Sequence, residues 1–202
     1  MTNSANIVVP HLADGIPSLN IEPIDPIDLF DFEGKVGDLL YKLEKSVVKG
    51  YSKCRINDVK LNLDAHTLNF NIECPSLYVT GHLVISGPLG KVTVEGNDNY
   101  KITCGKYFVD IETNIEKVKG NDGEMHMAIK LKNVVGQPKE PMNIDYNFMY
   151  KGNLLSESDK QEKLLEATAM LTPPFLDQLF KQIFNTVNKH LESIPFDNLF
   201  LD

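Results

Sequence analysis

Five histidines, three cysteines and a group of carboxylates are the residues of this chain that could do chemistry, and their spacing prepares none of them for it. His11, His66, His82, His126 and His190 include no i, i+4 pair, and none adjoins a cysteine or carboxylate set of metal-ligand spacing. Each reads as a surface or strand histidine. Cys54, Cys74 and Cys104 show no Cys-x-x-Cys spacing. The favoured reading is buried free thiols, because cysteine packs like a small hydrophobe; one bridge plus one free thiol is the other arrangement left open. Asp25, Asp28, Asp31 and Glu33 crowd an N-terminal segment where paired carboxylates could exchange protons, although an acidic run in a loop is ordinarily solvated. No Gly-x-Ser-x-Gly elbow occurs. Gly87-Pro88-Leu89-Gly90-Lys91-Val92-Thr93 is glycine-rich but lacks phosphate-loop spacing, and its glycines serve a hairpin turn. The expectation is no catalysis, no metal and no cofactor.

Composition narrows the partners. The net charge is −8, and only Arg55 among the 20 basic residues is an arginine. A nucleic-acid partner is therefore not expected, since phosphate recognition favours basic patches and arginine forks. No run of four Lys/Arg suggests an anionic membrane surface. The wholly apolar stretches are only a few residues long, so no transmembrane helix or stable membrane insertion is expected. Met1 to Asn6 offer neither a positive n-region nor an apolar h-region. The chain is thus either cytoplasmic or a mature secreted chain with an added Met1. At 202 residues it is read as one domain over 1–202.

The elements follow from periodicity. Ile7, Val8, Val9 and Leu12, cut by Pro10, read as a short helix, and Gly15 to Pro26 as irregular. Residues 36–50 are ambiguous: Leu39, Leu40, Leu43 and Val47 fit a helix face, while Leu39, Tyr41 and Leu43 fit a strand. Periodicity alone favours helix. Strands are predicted through Val59–Leu63, Leu68–Ile72, Leu77–Ile85, Val92–Val94, Tyr100–Cys104, Phe108–Ile115, Met125–Leu131 and Ile144–Tyr150, with turns at Ala65-His66, Gly87 to Gly90, Gly96 to Asn99 and Asn121-Asp122-Gly123. This spacing predicts one meandering antiparallel sheet with one face buried.

The C-terminal third changes period. Ser156, Ser158 or Asp159 can cap a helix to about Met170. Thr172 then reads as a second N-cap, with Pro173 in the first turn. Phe175, Leu176, Leu179, Phe180, Ile183, Phe184, Val187 and Leu191 recur at helical spacing, and so wide an apolar stripe must face a sheet or a ligand. Met125, Met127, Met142, Met149 and Met170 suit either a plain core or a pliable pocket lining. Tyr100, Tyr107, Tyr146 and Tyr150 could offer hydroxyls to a ligand, or cap sheet edges.

Several segments together resemble a known family. They are Gly15-Ile16-Pro17-Ser18-Leu19, the Asp25-Pro26 pair, Pro75-Ser76-Leu77-Tyr78-Val79-Thr80-Gly81, Gly152-Asn153-Leu154-Leu155, Pro174 with its helix, and Pro195-Phe196-Asp197-Asn198-Leu199-Phe200. In order and spacing they are similar to the takeout / juvenile-hormone-binding-protein family of insects, over nearly the whole chain. The resemblance implies an α+β fold in which a strongly curved antiparallel β-sheet wraps a long C-terminal α-helix, and it turns residues 36–50 from helix to strand. It also implies a secreted, non-enzymatic carrier of a small or elongated hydrophobic ligand in an internal tunnel. A juvenile-hormone-like terpenoid, a fatty acid, a quinone-like lipid or a carotenoid would qualify. The family's usual N-terminal cysteine pair is missing, as no cysteine precedes Cys54. The expected lining is Phe70, Ile72, Leu77, Val79, Met125, Met127, Ile129, Tyr146, Phe148, Phe175, Leu179, Phe180 and Ile183. The rival expectation is a signalling or interaction protein with a dry, packed core; a hydrolase is third.

Overall fold

The computed structural model describes Thr2, Asn6 and residues 13–17, 23–151 and 155–199. The short helix predicted over residues 5–13 lies mostly outside these, as do His11, Gly152 to Leu154 and Phe200. Two antiparallel sheets, rather than the single meander expected, lie along one long helix. The larger has seven strands. Its path is β1 (Ile27–Leu29), β3 (Leu39–Lys49), β6 (Leu77–Leu89), β7 (Val92–Cys104) and β10 (Asn143–Asp145), with β2 (Phe32–Val36) also on β3 and β11 (Met149–Lys151) also on β7. The smaller holds β4 (Arg55–Asn62), β5 (Thr67–Cys74), β8 (Tyr107–Lys119) and β9 (Met125–Pro138). Neither sheet closes on itself.

The sheets are two halves of one bent ribbon. Residues 67–89 and 92–119 form a long hairpin, paired as β5–β8 at one end and β6–β7 at the other. It breaks only at Pro75-Ser76 and Gly105-Lys106, where Cys74 pairs with Tyr107 and Leu77 with Cys104. Of the two remaining crossings, that from β3 to β4 runs through a 3-10 turn at Tyr51–Lys53, and that from β9 to β10 through residues 139–142. All three cysteines therefore stand at crossings. Cys54 and Cys74 form a disulfide and Cys104 is a buried free thiol. Of the two arrangements open in the sequence, the less favoured is the one found. The bend brings two crossing segments together that no local spacing reveals.

Residues 39–49 form a strand interrupted by a β-bulge. Leu39, Tyr41 and Leu43 point inward; after the register shift between Glu44 and Val47, Ser46 and Val48 do. The apparent helix face mixes the two sides of the strand: Leu40 is 52% exposed, and Val47 lies half-buried between inward Ser46 and Val48. The predicted turn at Gly96–Asn99 is absent, because β7 runs straight through it, paired with His82–Ile85. Gly96 is needed there because the Tyr146 ring lies against its α-carbon. Gly81, in the Pro75-to-Gly81 motif, supports Tyr100 in the same way, and the Tyr100 hydroxyl reaches buried Ser46 at 2.8 Å. The Gly87–Gly90 turn contracts to Gly90-Lys91, between the paired Leu89 and Val92. The final strand divides into β10 and β11.

The helix, α1 (Glu157–Leu191), is continuous for 35 residues, about 52 Å, where two helices were predicted. Ser156 caps it, with a capping box to Asp159. Pro173 and Pro174 lie inside it. Thr172 is no N-cap: its hydroxyl donates backward to the Thr168 carbonyl at 2.8 Å. One buried stripe, Leu164, Ala167, Leu171, Leu176, Leu179, Phe180 and Phe184, runs across the proline pair, so packing on both sheets overrides the local break.

Candidate functional site

The N-terminal half of α1 does not pack flat on the large sheet. Between them lies a cavity of about 100 Å³. Its helical wall runs from Leu164 to Leu179, about 22 Å of helix. The sheet wall comes from β3, β6 and β7, with Val79 and Leu83 on β6 and Tyr100 and Ile102 on β7. The segment through β10 supplies Met142, Ile144, Tyr146 and Phe148. Tyr146 and Phe148 stack edge to face on this wall, and Tyr150 continues the stack just beyond it.

The thirteen residues expected to line a tunnel divide by sheet. Leu77, Val79, Tyr146, Phe148, Phe175 and Leu179 lie on the cavity wall. Phe70, Ile72, Met127, Ile129 and Phe180 do not. The first four stand on β5 and β9 of the small sheet, which packs directly on the C-terminal half of the helix, where Phe180 lies and where Phe70 meets Phe184 edge to face at 6.4 Å. Ile183 faces a separate surface groove beside Pro26 and Ile27. Met125, at the start of β9, is 41% exposed.

Most polar groups of the wall are already engaged. Tyr146 donates to the Leu83 carbonyl at 2.7 Å, and Thr168 donates to the Leu164 carbonyl at 2.8 Å. Outside the wall, Tyr150 donates to the Lys160 carbonyl at 3.2 Å. Burial pushes the Cys104 thiol up to about 11 and the Tyr107 hydroxyl up to about 12, so both stay protonated at neutral pH. Tyr51, which no sequence signal marked, lines the cavity at the sheet crossing. The acidic cluster also has structural work. Asp25 accepts bonds from the turn around Tyr51, and Asp31 accepts from the Lys45 amide at 2.8 Å. Among the described residues no cluster of three His, Cys, Asp or Glu is placed to hold a metal.

A long apolar cavity between a curved sheet and one helix is the geometry of a carrier, and the whole-chain comparison agrees. The family model for haemolymph juvenile hormone binding protein matches residues 1–201. The chain belongs to that family. Its members carry hydrophobic ligands and are typically secreted into the haemolymph. Takeout 1 of Epiphyas postvittana has the same fold, at a TM-score of 0.80 and 20% identity, over 98% of this chain and 93% of that one. A lipopolysaccharide binding protein aligns at a TM-score of only 0.31 and 12% identity, over 96% of this chain and 38% of that one. No curated protein is significantly similar to the chain in sequence. No helix among the described residues is long and apolar enough to cross a membrane.

Proposed function

We propose that this member of the family acts as one domain that carries a single elongated apolar molecule, terpenoid or acyl-chain in kind, in the cavity between the large sheet and α1. The observation that carries the reading is an apolar space extending beside some 22 Å of helix, where a dry core would have closed. Affinity then comes from apolar area removed from water, about 25 cal/mol per Å², less the cost of ordering the ligand. The site holds no paired acid and base and no nucleophile beside a base, which supports transport over turnover. The Cys54–Cys74 disulfide supports an oxidising, extracellular compartment.

The test is a native mass spectrum after incubation with methyl palmitate or a farnesyl ester. One bound ligand per chain, recovered unaltered by solvent extraction, is expected. A clean unliganded mass with both compounds would favour the rival reading of an interaction protein.

A further inference from the structure

One hydroxyl of the cavity wall is fully buried and has nothing to donate to. The Tyr51 hydroxyl is buried and has no hydrogen-bond partner, one of two such side-chain atoms among the described residues. Native structures rarely leave a buried hydroxyl unpaired, because doing so costs free energy. Its surroundings explain why nothing in the protein serves it. The ring stands at the end of the cavity, edge-on to Phe180 at 6.3 Å, where the helical lining stops at Leu179. Four of the other wall hydroxyls are committed, Tyr100 to Ser46, Tyr146 to Leu83, Thr168 to Leu164 and Thr172 to Thr168, while Tyr107 at the same end of the wall is a second donor, less completely buried than Tyr51.

We propose that the Tyr51 hydroxyl is the polar anchor of the cavity, and that it selects an elongated apolar ligand ending in a neutral oxygen acceptor, such as an ester or ketone carbonyl, over one ending in a carboxylate. This rests on the carrier reading above and names the ligand class for the same site. A protonated phenol needs an acceptor, and burial keeps this one protonated. The polar neighbours at this end, Tyr107 and Cys104, are neutral donors too. Among the described residues no Lys, Arg or His lines the cavity. The fixed charge behind the turn is the Asp25 carboxylate, and Lys53 beside it is exposed to solvent. A ligand carboxylate would therefore be buried without a cation and near another anion, whereas a neutral carbonyl would meet a waiting donor.

The test compares methyl palmitate, palmitate and hexadecane as competitors of an apolar fluorescent probe, with the wild-type chain and Tyr51→Phe. In the wild type the ester should bind about tenfold tighter than hexadecane, and tighter than palmitate. Tyr51→Phe should remove most of the ester's advantage, leave hexadecane unchanged, and leave the unliganded protein no less stable. In the wild type, the carbonyl infrared band of bound methyl palmitate should move to lower wavenumber than in alkane. An ester advantage that survives in Tyr51→Phe, a preference for palmitate, or an unshifted carbonyl band overturns the anchor while hexadecane binding upholds the carrier. Failure of all three ligands to bind the wild type overturns both.

Discussion

Asp25 and Ser52 hold the turn that presents Tyr51. The Asp25 carboxylate accepts the Ser52 amide at 2.8 Å, the Ser52 hydroxyl, and the Gly50 amide at 2.9 Å, so its bonds bracket Tyr51 on both sides. Gly50 itself has φ of 113°, and a Cβ there would stand 2.5 Å from the Ser76 carbonyl oxygen. Asp25 thus ties the N-terminal Asp-Pro segment to the floor of the cavity.

Partial burial works against ionisation of Asp25, but the bonds from Ser52 and Gly50 outweigh it and hold the carboxyl below its ordinary 3.8. A lowered folded value means that this contribution is fully present above pH 3.8 and is lost as pH falls through the folded value. Asp25→Ala should cost about 1–2 kcal/mol at neutral pH. Urea denaturation at neutral pH and near pH 3 should show the difference between variant and wild type shrinking in acid. A constant difference would contradict the assignment.

Leu179 lies on the cavity wall and is 1% exposed. Leu179→Trp should fill the bore and abolish uptake of methyl palmitate, with the far-ultraviolet circular dichroism unchanged. Unchanged uptake by a folded variant would place the ligand elsewhere.

The disulfide joins two crossings 20 residues apart. Replacing Cys54 and Cys74 by serine should cost about 3 kcal/mol, read from urea midpoints. Thiol labelling of the wild type should find one reactive sulfur, Cys104, and only after denaturation.

His126 is 1% exposed, and both its ring nitrogens face acceptors: Nδ1 the Ile194 carbonyl at 3.0 Å, Nε2 the Asp122 carboxylate at 3.0 Å. The Asp122 bond, aided by Ile194 and opposed by desolvation, raises its pKa above the ordinary 6.5. A raised folded value gives stabilisation fully present below pH 6.5 and lost as pH rises through the folded value. The segment from Ile194 to Leu199 should therefore exchange its amides faster as pH climbs above that value, once the intrinsic pH dependence of exchange is removed. Asp122→Asn should move the midpoint down; an unmoved midpoint in a histidine-resolved titration would refute the pairing.

Asn188 exchanges both amide bonds with the Ile129 peptide on the outer edge of β9, at 2.8 and 2.9 Å. Gln182 does the same with β1, accepting from the Phe30 amide at 3.1 Å and donating to the Asp28 carbonyl at 2.7 Å. One helix therefore closes an edge of each sheet. Asn188→Ala should cost about 1–3 kcal/mol by thermal or urea unfolding, because it strands two edge-strand groups.

The sequence showed most strands because alternation such as Val109, Ile111, Thr113 and Ile115 survives wherever one face of a strand is buried. It misled where geometry broke the alternation. Apolar residues off the inward face, Leu40 and Val47, together with the bulge after Glu44 obscured the alternation of β3, and the proline pair suggested a helix end that burial on both sides overrode. The helical stripe was legible, but its division was not. Phe175 and Leu179 look alike in sequence to Phe180 and Phe184, and only the ribbon's bend decides which pair lines a space and which packs solid. Tyr51 escaped notice because a 3-10 turn has no periodicity and its open hydroxyl is a property of the folded surroundings.

The most direct measurement of the central claim is a nuclear Overhauser experiment on the protein loaded with methyl palmitate. Contacts from the ligand methylenes to methyl groups of Leu77, Val79, Leu171 and Leu179, with none to Ile72 or Ile129, are the predicted result. Contacts confined to surface residues, or to the Ile72 and Ile129 side of the helix, would contradict a ligand held between the large sheet and α1.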